Sequence, residues 1–211
     1  MNENPNQKSI LITGCSSGIG LAVAEGLNRS GYRVFATVRR REDIEKLTQK
    51  GLESLHLDLD DSFSIQSALH EVLHRTGGTL YALFSNGGYG QPGAVEDLSR
   101  EAIRVQFETN LFGTMELITR VIPVMRKQGY GRIIQCSSIL GFVALPYRGA
   151  YIASKYALEG LTDTLRLELS NTPICVSLIE PGPISTRYKF NSLKFFKKYI
   201  IIFHCPLNFD I

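Results

Sequence analysis

The chain has 211 residues, 44% hydrophobic and 20% charged, which is the composition of one soluble globular domain with a buried core. Its formal net charge of +3 is too small to indicate nucleic-acid binding, since acidic residues are interspersed among the basic ones. No apolar run is long enough to cross a bilayer, and the polar N-terminus is unlike a secretory signal. Four cysteines without a CxxC pair favour free thiols in a reducing compartment, so we expect a cytoplasmic protein.

The first predicted strand, Ser9 to Ile12, is followed by a glycine-rich turn and a helix. The turn is Gly14-Cys15-Ser16-Ser17-Gly18-Ile19-Gly20, and the helical pattern runs from Leu21 to Ser30. Glycines let a phosphate approach the backbone closely, and a helix N-terminus offers free N–H groups to it. The order strand, glycines, helix therefore favours a dinucleotide site, with a plain glycine-rich turn as the alternative.

The second predicted strand, Tyr32 to Val38, ends at Arg39-Arg40-Arg41. In a dinucleotide fold the side chain at this point faces the adenosine ribose. There an acid would bind the 2′-hydroxyl and an arginine would accept a 2′-phosphate. No acidic residue occurs between Val34 and Arg41, so the sequence favours NADP(H), with Arg39 as the phosphate ligand. The alternative is a solvated basic turn before the helix cap Glu42-Asp43.

A short helix (42–50) and a third strand (52–57) lead to Asp58 and then to a helix from Ser62 to Arg75. This helix contains His70-Glu71-Val72-Leu73-His74, which matches the HExxH pattern of zinc proteases. Both histidines fall opposite the apolar stripe, on the solvent face of the helix. A catalytic zinc needs buried, oriented ligands and a third protein ligand, so we expect no metal site.

The fourth predicted strand, Leu80 to Phe84, ends in Ser85-Asn86-Gly87-Gly88, where the backbone can approach a ligand. A long helix follows from the N-cap Ser99 to about Gln128, with a kink at Pro123. Asn110 lies in the middle of this helix between apolar residues. It is either a functional side chain or a plain helix kink or capped side chain.

A fifth strand (132–135), a helix (150–169) and a sixth strand (174–179) complete the pattern. The alternation predicts an α/β fold with a doubly wound parallel sheet of about six strands. Ligands of such sheets bind beyond the carboxyl ends of the strands. The residues that follow the predicted strands therefore converge on one edge; they are Gly14 to Gly20, Arg39, Asp58, Asn86, Ser138 and Pro181.

Tyr151 and Lys155 lie four residues apart near the start of a helix and so share one face. At about 4 Å and an effective dielectric near 20, an ammonium favours a phenolate by roughly 4 kcal/mol. One pKa unit corresponds to about 1.4 kcal/mol, so the pair could bring a tyrosine into the range of acid–base catalysis. The alternative for such a pair is a half-buried ring beside a solvated amine.

Together these segments resemble the short-chain dehydrogenase/reductase family from Lys8 to about Tyr188. The matching motifs are TGxxxGxG at Thr13 to Gly20, Asn110, Ser138 thirteen residues before the tyrosine, YxxxK at Tyr151 to Lys155, and Pro181-Gly182. The phrases LITGCSSGIG, GAYIASKYALEGL and VSLIEPGPI are similar to a bacterial NADP-dependent branch that reduces aldehydes and ketones. The resemblance implies a Rossmann fold and reversible hydride transfer between NADP(H) and a small-molecule carbonyl or alcohol.

The resemblance also implies a role for each site residue. Tyr151 would protonate the carbonyl oxygen, Lys155 would lower the pKa of Tyr151 and hold the nicotinamide ribose, and Ser138 would hydrogen-bond the substrate oxygen. Asn110 would hold a water that links Lys155 to solvent. The expected cofactor-binding residues are Gly14, Ser16, Ser17, Gly18, Ile19, Gly20, Arg39, Asp58, Asn86, Gly87, Gly88, Tyr151, Lys155, Pro181, Gly182 and Ile184.

The sequence departs from the family in two places. The family's NNAG is here Ser85-Asn86-Gly87-Gly88, which keeps Asn86. Family members also continue after the sixth strand with a substrate-binding helical region, another helix and a seventh strand. We therefore predict a cofactor-binding and catalytic domain at 1–189 and an atypical tail at 190–211, in which 190–199 begin the lid helix of a C-terminally truncated chain. The sixth strand would then be a sheet edge, with apolar surface at Ile174, Val176 and Leu178.

A competing hypothesis is a cofactor-binding product that is catalytically impaired by the missing lid; a zinc hydrolase ranks last. The helices at 99–128 and 150–169 pair two subunits in the family, which predicts a homodimer. We expect neither a nucleic-acid partner nor a membrane span.

Overall fold

Six short strands and seven α-helices alternate along residues 7–200, the part of the chain that the structure, a computed structural model, describes. The strands are β1 (Ser9–Ile12), β2 (Arg33–Val38), β3 (Glu53–His56), β4 (Ala82–Ser85), β5 (Gly131–Cys136) and β6 (Ile174–Ile179). The helices are α1 (Gly18–Arg29), α2 (Glu42–Thr48), α3 (Ser62–Arg75), α4 (Arg100–Phe107), α5 (Gly113–Gln128), α6 (Gly149–Glu168) and α7 (Tyr188–Tyr199). Every predicted strand forms at or near its predicted position.

The strands pair in parallel in the order β3-β2-β1-β4-β5-β6, which confirms the doubly wound sheet. The first strand, β1, lies in the middle of the sheet; β2 and β3 follow on one side of it, and β4, β5 and β6 on the other. Strand β1 therefore pairs with both β2 and β4. The strand order reverses between β1 and β4, and sheets of this kind bind ligands beyond the carboxyl ends of the strands at such a point.

Helices cover the two faces of the sheet unequally. On one face, α1 and α2 pack against β1 and β2 around a buried cluster that includes Ala24, Val34 and Leu47. On the other face, α3, α5 and the end of α6 pack over the whole width of the sheet, around Leu11, Leu117 and other fully buried side chains. The first face stays partly open over β4, β5 and β6, where an apolar groove of about 360 Å³ lies between α1 and the sheet.

Strand β6 buries the row of side chains that the sequence analysis expected to be exposed. Ile174 and Val176 are 4% and 8% exposed, because they face α6 and the larger core. The alternate row, Cys175, Ser177 and Ile179, is exposed instead on the open face of the sheet. The prediction that the row of Ile174, Val176 and Leu178 forms the exposed apolar surface of this edge strand was therefore wrong. The sequence pattern shows which residues share a face of a strand, but it does not determine which face the helices cover.

The predicted long helix forms, and its N-cap is confirmed, since the Ser99 hydroxyl accepts from the Ala102 N–H at 3.1 Å. A π-helical turn at Glu108–Phe112 joins α4 to α5. Pro123 lies inside α5, which continues to Gln128. The interruption thus lies around Asn110. π-Helical turns occur often at functional sites.

Helix α7 agrees with the prediction of a helix beginning near residue 190, and it starts at Tyr188. The predicted features of residues 201–211 lie outside the described part of the chain. None of the helices within residues 7–200 is both long and apolar enough to span a bilayer.

Candidate active site

Asn86 and Thr13 fix the glycine-rich loop against the end of β4. The Asn86 side-chain amide donates to the carbonyl oxygens of Thr13 at 3.0 Å and Gly14 at 3.3 Å. The Thr13 hydroxyl accepts from the backbone N–H groups of Asn86 at 2.9 Å and Gly87 at 2.8 Å. A methyl group at Gly20 would lie 2.5 Å from the Asn86 amide nitrogen. Asn86 therefore supports the loop, and the glycine is required by close packing.

The N-terminus of α1 is open to an anion. Its N-cap, Ser17, makes no side-chain capping hydrogen bond, and no acidic residue lies in the first turn. The first backbone N–H groups thus keep their hydrogen-bonding capacity and the partial positive charge of the helix end. Ser16 is exposed beside them, and Gly18 has a φ of 64°, which favours glycine. This arrangement fits a pyrophosphate group.

The two arginines after β2 differ in their partners. Arg40 forms ion pairs with Glu42 at 3.1 Å and Asp43 at 2.9 Å, so it belongs to the start of α2. Arg39 is exposed, and within residues 7–200 no carboxylate lies at ion-pair distance from it. The solvated-turn alternative therefore describes Arg40, whereas Arg39 remains available to a phosphate.

Asp58, at the end of β3, is partly buried and engaged in its own turn. Its Oδ1 accepts from the Asp60 N–H at 3.1 Å, and its backbone N–H donates to the Ser64 hydroxyl at 3.0 Å. The side chain lies at the carboxyl edge, as the sequence predicts, with one oxygen used to hold the loop before α3.

Ser138, Tyr151 and Lys155 come together at the end of β5. Ser138 follows the strand in an extended conformation, and its hydroxyl accepts from the Leu140 N–H at 3.1 Å. Tyr151 and Lys155 lie in the first two turns of α6, and all three side chains are less than 10% exposed. The Ser138 hydroxyl interacts with the Tyr151 hydroxyl. Two hydroxyls thus converge on a position where a carbonyl oxygen can bind.

Burial raises the pKa of Tyr151, and the Ser138 hydroxyl opposes that shift. The phenol is therefore protonated at neutral pH. This is the form that can donate a proton to a carbonyl oxygen during reduction.

Lys155 makes its direct hydrogen bond to the end of β5, and its predicted effect on the pKa of Tyr151 stays a prediction. Its ammonium nitrogen donates to the Cys136 carbonyl oxygen at 2.7 Å and lies 5.7 Å from the centroid of the Tyr151 ring. Burial also lowers the pKa of Lys155 itself. The spacing of four residues placed both side chains on one face, but the carbonyl at the end of β5 takes the direct hydrogen bond.

Asn110 is 1% exposed and uses its side chain entirely within the protein. Its Nδ2 donates to the Tyr89 carbonyl at 2.9 Å and to the Ser154 hydroxyl at 3.1 Å, while its Oδ1 accepts from the Tyr89 N–H at 3.1 Å. These bonds connect the π-helical turn to α6 and to the loop after β4. Both N–H groups of the side chain are therefore used within the protein, and the role of Asn110 in holding a water near Lys155 stays a prediction.

The loop after β6 completes the edge. The Pro181 carbonyl oxygen accepts from the Ile139 N–H at 3.2 Å, which ties this loop to the turn after Ser138. Gly182 and Ile184 are exposed, and Ile184 is 55% exposed. Gly88 lies beside Asn110, since a methyl group on it would approach Asn110 Oδ1 at 3.1 Å.

Two residues that the sequence analysis did not select also lie at this edge. Thr186 packs against the glycine-rich loop, since a methyl group at Gly18 would lie 3.4 Å from its Cβ. Tyr188, the first residue of α7, packs edge-on against Tyr151 with ring centroids 5.6 Å apart. A tyrosine at the start of a surface helix has no distinguishing sequence pattern, so only the fold reveals this contact.

His70 and His74 are exposed on the outer surface of α3, the face predicted for them. Glu71, between them, forms an ion pair with Arg75 at 2.6 Å. Within residues 7–200, no group of three or more potential metal-ligating side chains occurs. His70 and His74 thus lie on the solvent-facing side of an amphipathic helix, with Glu71 paired to Arg75.

The chain belongs to the short chain dehydrogenase family, which matches residues 8–194. An uncharacterized oxidoreductase of Escherichia coli K12, YbbO, is 47% identical over 185 residues, which cover 88% of this chain and 69% of that protein. The protein is thus an oxidoreductase of the short-chain dehydrogenase/reductase type with a nucleotide-binding Rossmann fold.

Solved structures of the family agree with this assignment. A single-substitution variant of actinorhodin polyketide ketoreductase with NADPH superimposes with a TM-score of 0.83 at 30% identity, covering 96% of this chain and 79% of that one. A short chain dehydrogenase/reductase from Burkholderia phymatum in complex with NAD gives a TM-score of 0.82 at 26% identity, covering 89% and 69%. The family thus uses nicotinamide cofactors of both kinds.

Proposed function

We propose that the protein is an NADP(H)-dependent reductase of apolar aldehydes or ketones that works by reversible hydride transfer. The observation that carries the choice of cofactor is Arg39. It ends β2 without a carboxylate partner in the described chain, next to Arg40, which is paired. The glycine loop, the open N-terminus of α1 and Thr186 would hold the pyrophosphate, and Pro181, Gly182 and Ile184 would line the nicotinamide end. The cofactor supplies the hydride when bound.

The residues of the chain supply the proton and the orientation. Tyr151 would donate its proton to the carbonyl oxygen as negative charge develops there, and Ser138 would hydrogen-bond the same oxygen. Lys155, which is buried and bonded to the end of β5, would hold the nicotinamide ribose and place a positive charge near Tyr151 in the loaded enzyme. Asn110 would act by fixing the turn that positions α6.

The loop between Ser138 and Tyr151 supports an apolar substrate. It exposes four large hydrophobic side chains beside the catalytic hydroxyls: Ile139, Phe142, Val143 and Leu145 are 40%, 56%, 41% and 53% exposed. Exposed apolar surface next to a reactive centre favours a substrate with a sizeable hydrocarbon part.

Two further features belong to this proposal. We infer a cytoplasmic protein, since the three described cysteines are free. We also infer a homodimer through the helices at 99–128 and 150–169, because Phe112, Tyr156 and Leu161 on these helices are 52%, 46% and 43% exposed. The division into a catalytic domain at 1–189 and a tail at 190–211 stays a proposal alongside them.

The test is NADPH and NADH oxidation by the purified chain with straight-chain aldehydes from butanal to decanal and with cyclic ketones. We expect turnover with NADPH that improves with hydrocarbon length. NADPH binding without turnover on any carbonyl would favour the catalytically impaired alternative. Equal use of NADH and NADPH would contradict the cofactor assignment.

A further inference from the structure

Tyr188 occupies the space in front of the catalytic tyrosine. Its ring meets the Tyr151 ring edge-on, with centroids 5.6 Å apart and an interplanar angle of 63°. The Tyr188 hydroxyl also interacts with the Tyr151 hydroxyl. A substrate carbonyl oxygen must approach this same hydroxyl to receive its proton. The phenol of Tyr188 and a substrate therefore compete for one position.

The Tyr188 side chain packs in a space that exists because residue 90 is a glycine. A methyl group at Gly90 would collide with the Tyr188 hydroxyl and its ring carbon Cζ. Gly90 itself has no positive φ, so the backbone does not require glycine there. The requirement comes only from the phenol that packs against it. The missing side chain at Gly90 therefore leaves a notch, and the Tyr188 phenol fills it.

Helix α7 is attached along the rest of the cleft at two more points. Phe195 stacks on Tyr89 with centroids 3.7 Å apart and an interplanar angle of 19°. Ile200, at the end of the helix, packs where a methyl group at Gly93 would lie 2.7 Å from its Cδ1. The helix thus lies over residues 89–93, from the catalytic tyrosine to the start of the segment that leads to α4.

We propose that α7 closes the active site in the described state and that Tyr188 is the residue a carbonyl substrate must displace. This inference rests on the proposed function for the identity of the competing ligand, but the closed state of α7 does not depend on it. If a site is open for only a fraction of the time, its apparent affinity for the ligand is reduced by that fraction. Removing the Tyr188 hydroxyl, or filling its notch, should therefore improve substrate binding without changing the chemical step.

The position of α7 can be measured directly, because the chain contains no tryptophan. A Phe195→Trp substitution places a single indole on Tyr89, where stacking protects it from acrylamide. In this background we expect Tyr188→Phe and Gly90→Ala each to raise the Stern–Volmer quenching constant at least twofold, without any ligand. The matched control is Phe190→Ala, which removes an aromatic ring that is 56% exposed on the same helix and should leave quenching unchanged.

The second experiment measures the steady-state kinetics of decanal reduction with NADPH, in the parent chain without the Phe195→Trp substitution. We expect Tyr188→Phe and Gly90→Ala to lower KM for decanal about fivefold, as the open state of the site becomes more populated, with kcat and NADPH affinity retained. Unchanged quenching in both variants would overturn the closed state whether or not the chain turns over. Raised quenching with an unchanged KM would overturn the competition with substrate. An inactive chain that binds NADPH and shows raised quenching would refute the proposed function while supporting the closed helix.

Discussion

Tyr151, the proposed proton donor, is held as a neutral acid by the residues around it. Burial raises its pKa, the hydroxyl of Ser138 opposes that shift, and the nearest ammonium, that of Lys155, is bonded to the Cys136 carbonyl. A neutral phenol suits the reduction of a carbonyl, since the proton is already in place. The oxidation of an alcohol would need the opposite form, so under the proposed mechanism we expect reduction to be the faster direction at neutral pH.

Tyr151→Phe removes only the hydroxyl, so the ring still packs while the proton donor is lost. We expect kcat for aldehyde reduction to fall by about 10²- to 10⁴-fold, with NADPH affinity and melting temperature nearly unchanged. The measurements are steady-state kinetics and NADPH fluorescence titration. Tyr156→Phe, an exposed tyrosine on the same helix, is the control and should keep full activity. Comparable turnover in the two variants would show that another group supplies the proton.

Arg39→Ala removes the arginine that is free to bind a 2′-phosphate. A lost hydrogen bond to a charged group costs about 1.5–3 kcal/mol, so NADPH affinity should fall roughly 10- to 150-fold while NADH affinity stays constant. Arg40→Ala is the matched control, since Arg40 is already paired with Glu42 and Asp43. Calorimetric titration of both cofactors gives the comparison. Equal losses in the two variants would mean that the basic turn acts only through its overall charge.

At the scale of elements, the π-helical turn is the junction on which the site depends. Asn110→Ala leaves the Tyr89 N–H without an acceptor in a buried region. It also removes one donor each from the Tyr89 carbonyl and the Ser154 hydroxyl, which keep Gln106 and the Tyr151 carbonyl as partners. Since one unsatisfied buried group costs about 1–3 kcal/mol, we expect unfolding in urea at a clearly lower midpoint. Asn28→Ala, at an exposed amide on α1, is the control. A midpoint equal to that of the control would show that the turn forms without these bonds.

The exposed side chains of α5 and α6 suit a helix-to-helix dimer. Phe112, the last residue of the π-helical turn before α5, is 52% exposed, and replacing it with Asp would place a charge in the proposed apolar interface. We expect Phe112→Asp to be monomeric by sedimentation at concentrations where the parent chain is dimeric. Phe63→Asp, at a still more exposed position on α3, should remain dimeric. A parent chain that is monomeric throughout would refute the proposed interface.

Local sequence patterns predicted the elements well. Strands such as β1 and β2 are apolar and rich in β-branched residues, and helices α3 and α4 begin after Asp61 and Ser99, whose side chains cap them. The patterns also located Gly14, Asn86 and Ser138 at one edge of the sheet, since each follows the carboxyl end of a parallel strand, and they placed Tyr151 and Lys155 on one face of a helix. They failed where tertiary contacts decide the outcome. The hydrogen bond from Lys155 to the strand end and the approach of Tyr188 both depend on how distant elements pack.

At the scale of the whole molecule, the open face over β4 to β6 is the main departure from a fully covered sheet. Parallel sheets are normally buried on both faces, so an apolar groove of about 360 Å³ lined by Phe84, Ile134 and Ile179 exposes surface that a helix would cover. Strand β6 also presents an unpaired edge within the described chain. Both features favour self-association.

The chain spans 69% of the length of YbbO, which provides a direct experiment. Fusing the C-terminal segment of YbbO after residue 199 should cover the groove, raise the melting temperature and raise turnover with NADPH. Dye binding to exposed apolar surface and light scattering are the measurements. The control fusion is the same segment with its apolar residues changed to serine. A 211-residue chain that is monodisperse, binds no dye and turns over as fast as the fusion would mean that its own tail already performs this task.

The alternation of buried and exposed side chains along β6 leaves one described cysteine, Cys175, far more accessible than the other two. Cys15 is buried under the glycine loop, and burial raises its pKa to about 12; burial raises the pKa of Cys136 as well. Cys175 is exposed in the row of β6 that faces the open side of the sheet. Within residues 7–200, a maleimide should therefore modify Cys175 long before the other two thiols. The rate of maleimide labelling at Cys175, measured by mass spectrometry of its peptide, would report how often that face of the sheet is covered. The measurement works in a cell extract as well as with the purified protein.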